Sequence, residues 1–155
     1  MLLCVLKGAS SFYLHLLEAL QDVRQGFYTE FIRLSSYEGS ETTGKVKVGG
    51  GLNYSDLTGK DVIIIEDIID TGTTLYNLLP LIKAEAKPKS LEVCSLLVKR
   101  LSTPTKLNAK YTGFSIPPQF VIGFGLDYNE LYRDLKDIWV ISQQGIDFDP
   151  KELHK

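Results

Sequence analysis

The stretch Asp61-Val62-Ile63-Ile64-Ile65-Glu66-Asp67-Ile68-Ile69-Asp70-Thr71-Gly72-Thr73-Thr74 decides the fold of this chain. Its first half is apolar without alternation, the pattern of a strand buried on both faces and therefore of a parallel sheet. That strand is predicted over Asp61–Glu66. The glycine turn at Thr71-Gly72 leads into a helix from about Thr74 to Ala86, with Leu75, Leu78, Leu79 and Ile82 directed inward. Pro80 is out of place there, because a mid-helix proline kinks or ends a helix.

Working outward, the same alternation recurs. Lys87-Pro88-Lys89 closes the helix, and Leu91–Val98 is the next buried strand. On the other side, Leu2–Leu6 is a short apolar strand broken by Lys7-Gly8-Ala9-Ser10. A helix from Ser11 to about Arg24 follows, with Phe12, Leu16, Leu17, Leu20 and Val23 on one face. Tyr28–Leu34 reads as a strand, Ser35–Lys45 as a polar loop of unusual length, and Val46–Leu52 as an edge strand. Short strands are predicted near Tyr111–Ile116, Phe120–Gly125 and Asp137–Ser142. Strands alternating with helices give an α/β fold around a mostly parallel sheet, with residues 1–155 read as a single domain.

Composition narrows the function. The 155 residues are 44% hydrophobic and 23% charged, the values of an ordinary globular chain, which excludes disordered and coiled-coil readings. A net charge of −2 gives no electrostatic footprint for nucleic acid or an anionic membrane. Any polyanionic ligand must be held by a specific site. Cys4 and Cys94 both lie in apolar runs and read as buried thiols, not as a disulfide or metal pair. The opening apolar run is too short for a signal segment, and no run reaches transmembrane length, so a cytoplasmic location is expected. Asn53-Tyr54-Ser55 is a chance match to the glycosylation pattern.

In an open α/β sheet, ligands bind beyond the carboxyl ends of the strands. At that end of the decisive strand, Asp70-Thr71-Gly72-Thr73-Thr74 offers a tight turn, amides and hydroxyls at a helix start, which is a phosphate cradle. The adjacent Glu66-Asp67 pair would repel a bare phosphate. Paired carboxylates suit sugar hydroxyls, or Mg²⁺ held partly through water. A phosphorylated sugar satisfies both halves. The Walker A spacing is absent, as is a G-x-G-x-x-G fingerprint after a strand. Helix capping alone would need one polar residue, not three carboxylates and three threonines.

Val62 through Gly72 closely resembles the phosphoribosyl-pyrophosphate (PRPP) motif of type I phosphoribosyltransferases. Other segments are similar in the same order. Leu6-Lys7-Gly8 resembles the pyrophosphate loop, Phe31 to Tyr37 the approach to a mobile lid, and Ser95 to Arg100 the purine-contacting strand. Phe120-Val121-Ile122-Gly123 and Leu126 to Glu130, with Arg133-Asp134, resemble the rest of the base and pyrophosphate site. Together they are similar to the hypoxanthine-guanine group of that family, from near Leu2 to near Gly145.

The resemblance implies a type I phosphoribosyltransferase fold, with a mostly parallel central sheet, flanking helices and a small hood region. It implies Mg²⁺-dependent transfer of the 5-phosphoribosyl group from PRPP to hypoxanthine or guanine, giving IMP or GMP and pyrophosphate. Asp70, Thr71, Gly72, Thr73 and Thr74 would bind the 5′-phosphate, and Asp70 would exchange a proton with the purine. Glu66 and Asp67 would face the ribose hydroxyls and the metal, with Asp127 as the third metal residue. Lys7, Gly8 and Arg133 would hold pyrophosphate. Lys99, Phe120, Val121 and Asp127 would contact the base, and Ser36 and Tyr37 would begin the lid. Relatives often carry glycine where this chain has Ala9; a left-handed backbone there would cost roughly 1–2 kcal/mol. His15 and His154 read as structural or solvated. Relatives also carry an N-terminal helix and hood strand before the first core strand, so a truncated or non-catalytic PRPP-binding form is the alternative. A homodimer or homotetramer is expected.

Overall fold

The computed structural model describes residues 1–36, 46–49 and 52–149. In chain order these form β1 (Leu2–Leu6), α1 (Ser10–Ala19), β2 (Thr29–Ser36), β3 (Val46–Gly49), β4 (Asp61–Ile69) and α2 (Thr73–Ala86). Then come β5 (Ser90–Lys99), β6 (Tyr111–Ile116), β7 (Val121–Ile122), β8 (Trp139–Val140) and α3 (Gln143–Asp147). Single 3-10 turns occupy Gln21–Val23 and Tyr54–Leu57. The main sheet has the order β3-β2-β1-β4-β5-β6, parallel throughout except for the antiparallel edge strand β3. β7 and β8 pair antiparallel in a separate small sheet.

The unbroken apolar runs are explained by helices on both faces of the sheet. Along β1, Leu3 and Val5 join one core cluster while Leu2 and Cys4 join the other. Along β4, Val62 and Ile64 face the cluster that includes Leu75, Leu78 and Ile82 of α2. Ile65 faces Tyr13 and Ala9 at α1. Each fully buried Leu or Ile contributes about 1.5–3 kcal/mol relative to exposure. Cys4 is buried and free, and its thiol is pushed up to about 12 by burial, with the Glu66 and Asp67 carboxylates adding to the effect. Cys94 is also free and half-buried.

Several boundaries depart from expectation. β4 runs three residues past Glu66, because Ile68 and Ile69 continue the register with Leu97 and Val98. Pro80 lies inside α2 without ending it. It sits on the exposed side, as does Tyr76, whose carbonyl is the one deprived of an amide partner. α1 stops at Ala19, and the chain breaks through a left-handed Arg24 (φ 51°), which leaves Val23 exposed instead of on the inner face. Tyr13, fully buried, takes the central place there. β3 ends at Gly49, and the two strands predicted over Phe120–Gly125 and Asp137–Ser142 shrink to two residues each. Asn53 caps the Tyr54–Leu57 turn, its side-chain oxygen accepting from Ser55 N at 3.2 Å.

The strand order reverses between β1 and β4. From β1 the chain proceeds outward to β2 and β3, and from β4 outward to β5 and β6. A crevice opens beyond the carboxyl ends of strands at such a reversal.

Candidate active site

Three segments meet at that crevice: the turn after β1, the end of β4 with the start of α2, and the loop from Gly123 to Arg133. Their approach is so close that only glycine fits at two points. A Cβ on Gly8 would lie 1.7 Å from Asp67 Oδ2, and one on Gly125 (φ +97°) would lie 2.2 Å from the Gly8 carbonyl oxygen. Gly8 is therefore layered between the Asp67 carboxylate and Gly125. The Leu6–Lys7 peptide before it is cis. Ala9 follows in ordinary right-handed geometry (φ −71°, ψ −5°) and is fully buried, so the strain considered from the sequence does not arise.

The residues read as the cradle lie around one cavity. Glu66, Ile68, Asp70 and Thr71 through Leu75 enclose a cavity of about 110 Å³. Gly72 turns the chain into α2 with φ +74°, and a Cβ there would press on Leu107 at 3.0 Å. Thr71 Oγ1 lies 3.0 Å from Thr73 Oγ1. The first turn of α2 has amides without intrahelical partners and the positive end of the helix dipole, the physical basis of anion binding.

Glu66 lines the floor of this cavity, and the adjacent Asp67 lies against Gly8. Burial, and then the Asp67 charge, hold the Glu66 carboxyl well above the usual carboxylate range. Its Oε2 is buried with no hydrogen-bond partner among the described residues. Asp67 is also raised by burial; the Ile68 amide, which donates to Oδ1 at 2.8 Å, opposes that, as does the Arg133 charge.

On the β5 side, Lys99 Nζ donates to Asp70 Oδ2 at 2.7 Å, with only 12% of the lysine side chain exposed. The same ammonium lies 5.8 Å from the centre of the Phe120 ring. Phe120 meets Tyr128 edge to face at 5.5 Å. Val121 is half-buried in β7, paired with Val140. On the opposite side, Arg133 donates to Asp127 Oδ1 at 2.8 Å and to the Gly125 carbonyl at 2.8 Å. Asp127 also accepts from the Glu130 amide at 2.8 Å. Lys7 Nζ reaches Glu130 Oε2 at 2.5 Å.

The residues read from the sequence thus converge as two connected groups. One is Asp70, Lys99 and Phe120 beside the threonine cradle; the other is Gly8, Asp67, Asp127, Arg133 and Lys7. Ser36 ends β2, and Tyr37 lies outside the described residues. Among the described residues, no group of three His, Cys, Asp or Glu converges as a metal cluster. His15 is on α1, its Nδ1 2.9 Å from the Ser11 carbonyl and its ring 5.0 Å from Phe124; His154 lies outside the described residues. Sequence reasoning missed Gly125, and it placed Tyr128 and Glu130 in the Leu126–Glu130 segment without giving either a role of its own. The signal for Glu130 was its place after Asn129 in a tight hairpin, where glycine is the usual residue.

A sequence model of the Phosphoribosyl transferase domain family matches residues 1–129. The chain belongs to the phosphoribosyl transferase family. Within it, this phosphoribosyltransferase is an enzyme of the hypoxanthine-guanine type. It is 46% identical over 149 residues to the hypoxanthine-guanine phosphoribosyltransferase of Mus musculus and 45% identical to that of Homo sapiens. Each match covers 92% of this chain and 68% of the relative. Hypoxanthine phosphoribosyltransferase from Trypanosoma cruzi in complex with the product IMP superposes with a TM-score of 0.82 at 39% identity, covering 92% of this chain and 75% of that one. The enzyme from Staphylococcus aureus superposes at 0.77 with 37% identity, over 96% and 79% of the two chains. This phosphoribosyltransferase therefore shares its central parallel sheet with both solved relatives.

Proposed function

We propose that this chain transfers the 5-phosphoribosyl group of PRPP to N9 of hypoxanthine or guanine, giving IMP or GMP and releasing pyrophosphate. The observation that carries the reading is the Lys99–Asp70 pair over Phe120 at the mouth of the threonine cradle. It sets a base-recognising donor and a proton-accepting carboxylate beside a phosphate pocket.

Each part then has a task. The start of α2, with Thr71, Thr73 and Thr74, holds the 5′-phosphate through amides and hydroxyls. Phe120 stacks on the purine while Val121 and Asp127 meet its edge through backbone groups. Lys99 donates to O6, which selects 6-oxo over 6-amino purines because the latter would leave a buried donor unpaired. As Lys99 turns to O6 it releases Asp70, whose oxygen is then free to exchange a proton at N7. Cleavage of the C1–pyrophosphate bond places positive charge on the ribose ring, as in other glycosyl transfers. The Glu66–Asp67 carboxylates face that ring, and Lys7, the Gly8 backbone and Arg133 receive the leaving pyrophosphate. Ser36 and Tyr37 open the lid that keeps water from the reacting centre.

A divalent cation fits the same floor. Glu66 carries a buried oxygen without a partner beside a second carboxylate, a donor set of hard oxygens suited to Mg²⁺. Glu66 and Asp67 would hold the ion, while Asp127 contributes from a position already engaged by Arg133 and the Glu130 amide. Bound there, Mg²⁺ would neutralise charge on the pyrophosphate and tether the ribose hydroxyls.

The reaction belongs in the cytoplasm, within one domain that assembles as a homodimer or homotetramer. No helix among the described residues is long and apolar enough to cross a membrane. The test is an assay with PRPP, Mg²⁺ and hypoxanthine or guanine, following nucleotide and pyrophosphate together. One-to-one formation of the two is expected. PRPP binding without turnover would make the chain a binding form of this fold.

A further inference from the structure

Glu130 places a single carboxylate against both cations assigned to pyrophosphate. Its Oε2 lies 2.5 Å from Lys7 Nζ and its Oε1 3.3 Å from Arg133 Nη2. The two partners come from opposite ends of the chain, Lys7 being 123 residues away. The carboxyl is held below its usual range, first by the hydrogen bond from Lys7. Arg133 is anchored besides by Asp127 and the Gly125 carbonyl, so it stays in place when its contact with Glu130 is broken.

The backbone delivers this carboxylate at a local cost. Tyr128 and Leu131 exchange both backbone hydrogen bonds, at 3.1 and 3.0 Å, which closes a two-residue hairpin turn. Asn129 (φ 50°) and Glu130 (φ 67°) occupy it, both left-handed. Asparagine followed by glycine is the sequence such a turn favours, because glycine accepts positive φ without a steric penalty. Here a glutamate holds the glycine position, and its amide is tied to Asp127 Oδ2 at 2.8 Å. A strained non-glycine residue at a site edge is retained where its side chain has work to do.

We propose that Glu130 is a positioning residue that stands in for pyrophosphate, bridging Lys7 and Arg133 in the free enzyme and yielding them to the incoming diphosphate. The inference rests on the proposed reading of Lys7 and Arg133 as pyrophosphate ligands. Two consequences follow from simple electrostatics. The cations are kept extended and pre-ordered before substrate arrives. Pyrophosphate binds against an internal competitor of the same charge and leaves more readily.

Replacing Glu130 by Gln removes the charge and keeps the shape, and Glu130→Gly also suits the turn, so folding is preserved in at least one variant. Binding of Mg²⁺-pyrophosphate and, separately, of IMP is measured by titration calorimetry on the wild type and both variants. Removal of one charge next to the site is expected to tighten pyrophosphate by about fivefold or more. IMP affinity, set at the threonine cradle and Lys99, is expected to stay unchanged. Pyrophosphate affinity that is equal or weaker in the variants, with IMP binding intact, overturns the stand-in role alone. Failure of the wild type to bind either ligand overturns the proposed function, and the role of Glu130 with it.

Discussion

At the scale of single residues, the Lys99–Asp70 contact is where the proposed base recognition and proton exchange would take place. Asp70→Asn keeps the size and can still accept from Lys99, but it has no place for the N7 proton. Turnover is expected to fall roughly 100-fold or more, with KM for PRPP little changed. Steady-state kinetics against both substrates checks this; equal losses in kcat and PRPP affinity would contradict the proton-exchange role. These two residues were legible in the chain because they stand in motifs, one just after β4 and one ending β5. The contacts of Glu130, the place of Gly125 and the close packing of Gly8 against Asp67 were not legible. Their partners are contributed by loops far away in sequence, and neither periodicity nor local spacing records a 1.7 Å clash that only glycine avoids.

At the scale of elements, the strands of the sheet were readable because burial on both faces leaves a continuous apolar run. The helices were less so. Val23 fits the apolar face of a longer α1, yet α1 ends at Ala19 and Val23 falls in a separate 3-10 turn closed by the left-handed Arg24. Pro80 is tolerated because its turn faces solvent, a fact of orientation that the residue alone does not carry. Element ends also hold the charged contacts. Asp61 begins β4, its carboxylate accepting from Ser90 Oγ at 2.7 Å and Lys89 Nζ at 3.0 Å. Those partners depress its pKa below 3.8, the Ser90 hydroxyl most of all. A depressed carboxylate stabilises the fold above its unfolded pKa, and that contribution is lost as pH falls through the folded one. Asp61→Asn is therefore expected to lower Tm at neutral pH, with the gap to wild type closing below pH 3.8. Thermal melts of both proteins across that range would show it; a gap independent of pH would point to shape instead of charge.

At the scale of the whole molecule, the surface is less finished than the core. β6 is an edge strand with Phe114 65% exposed, and Trp139 of β8 is 57% exposed. Apolar groups of this size on a sheet edge favour association. In solution the chain is expected at about twice or four times its 17.4 kDa, which light scattering after size exclusion would measure; a monomer would contradict the assembly. The arrangement of β1 reaches further still. It lies between β2 and β4, and Lys7 just beyond it meets a residue 123 positions later. Contacts of such span make folding slow, because long loops must close before the pairing repays their entropy. Until β4 docks, Leu2–Leu6 can pair only with β2, and its other edge is open to misassembly. The strand that leads into Lys7 and Gly8 is thus also a point where the chain is vulnerable while it folds, and where a chaperone would be useful.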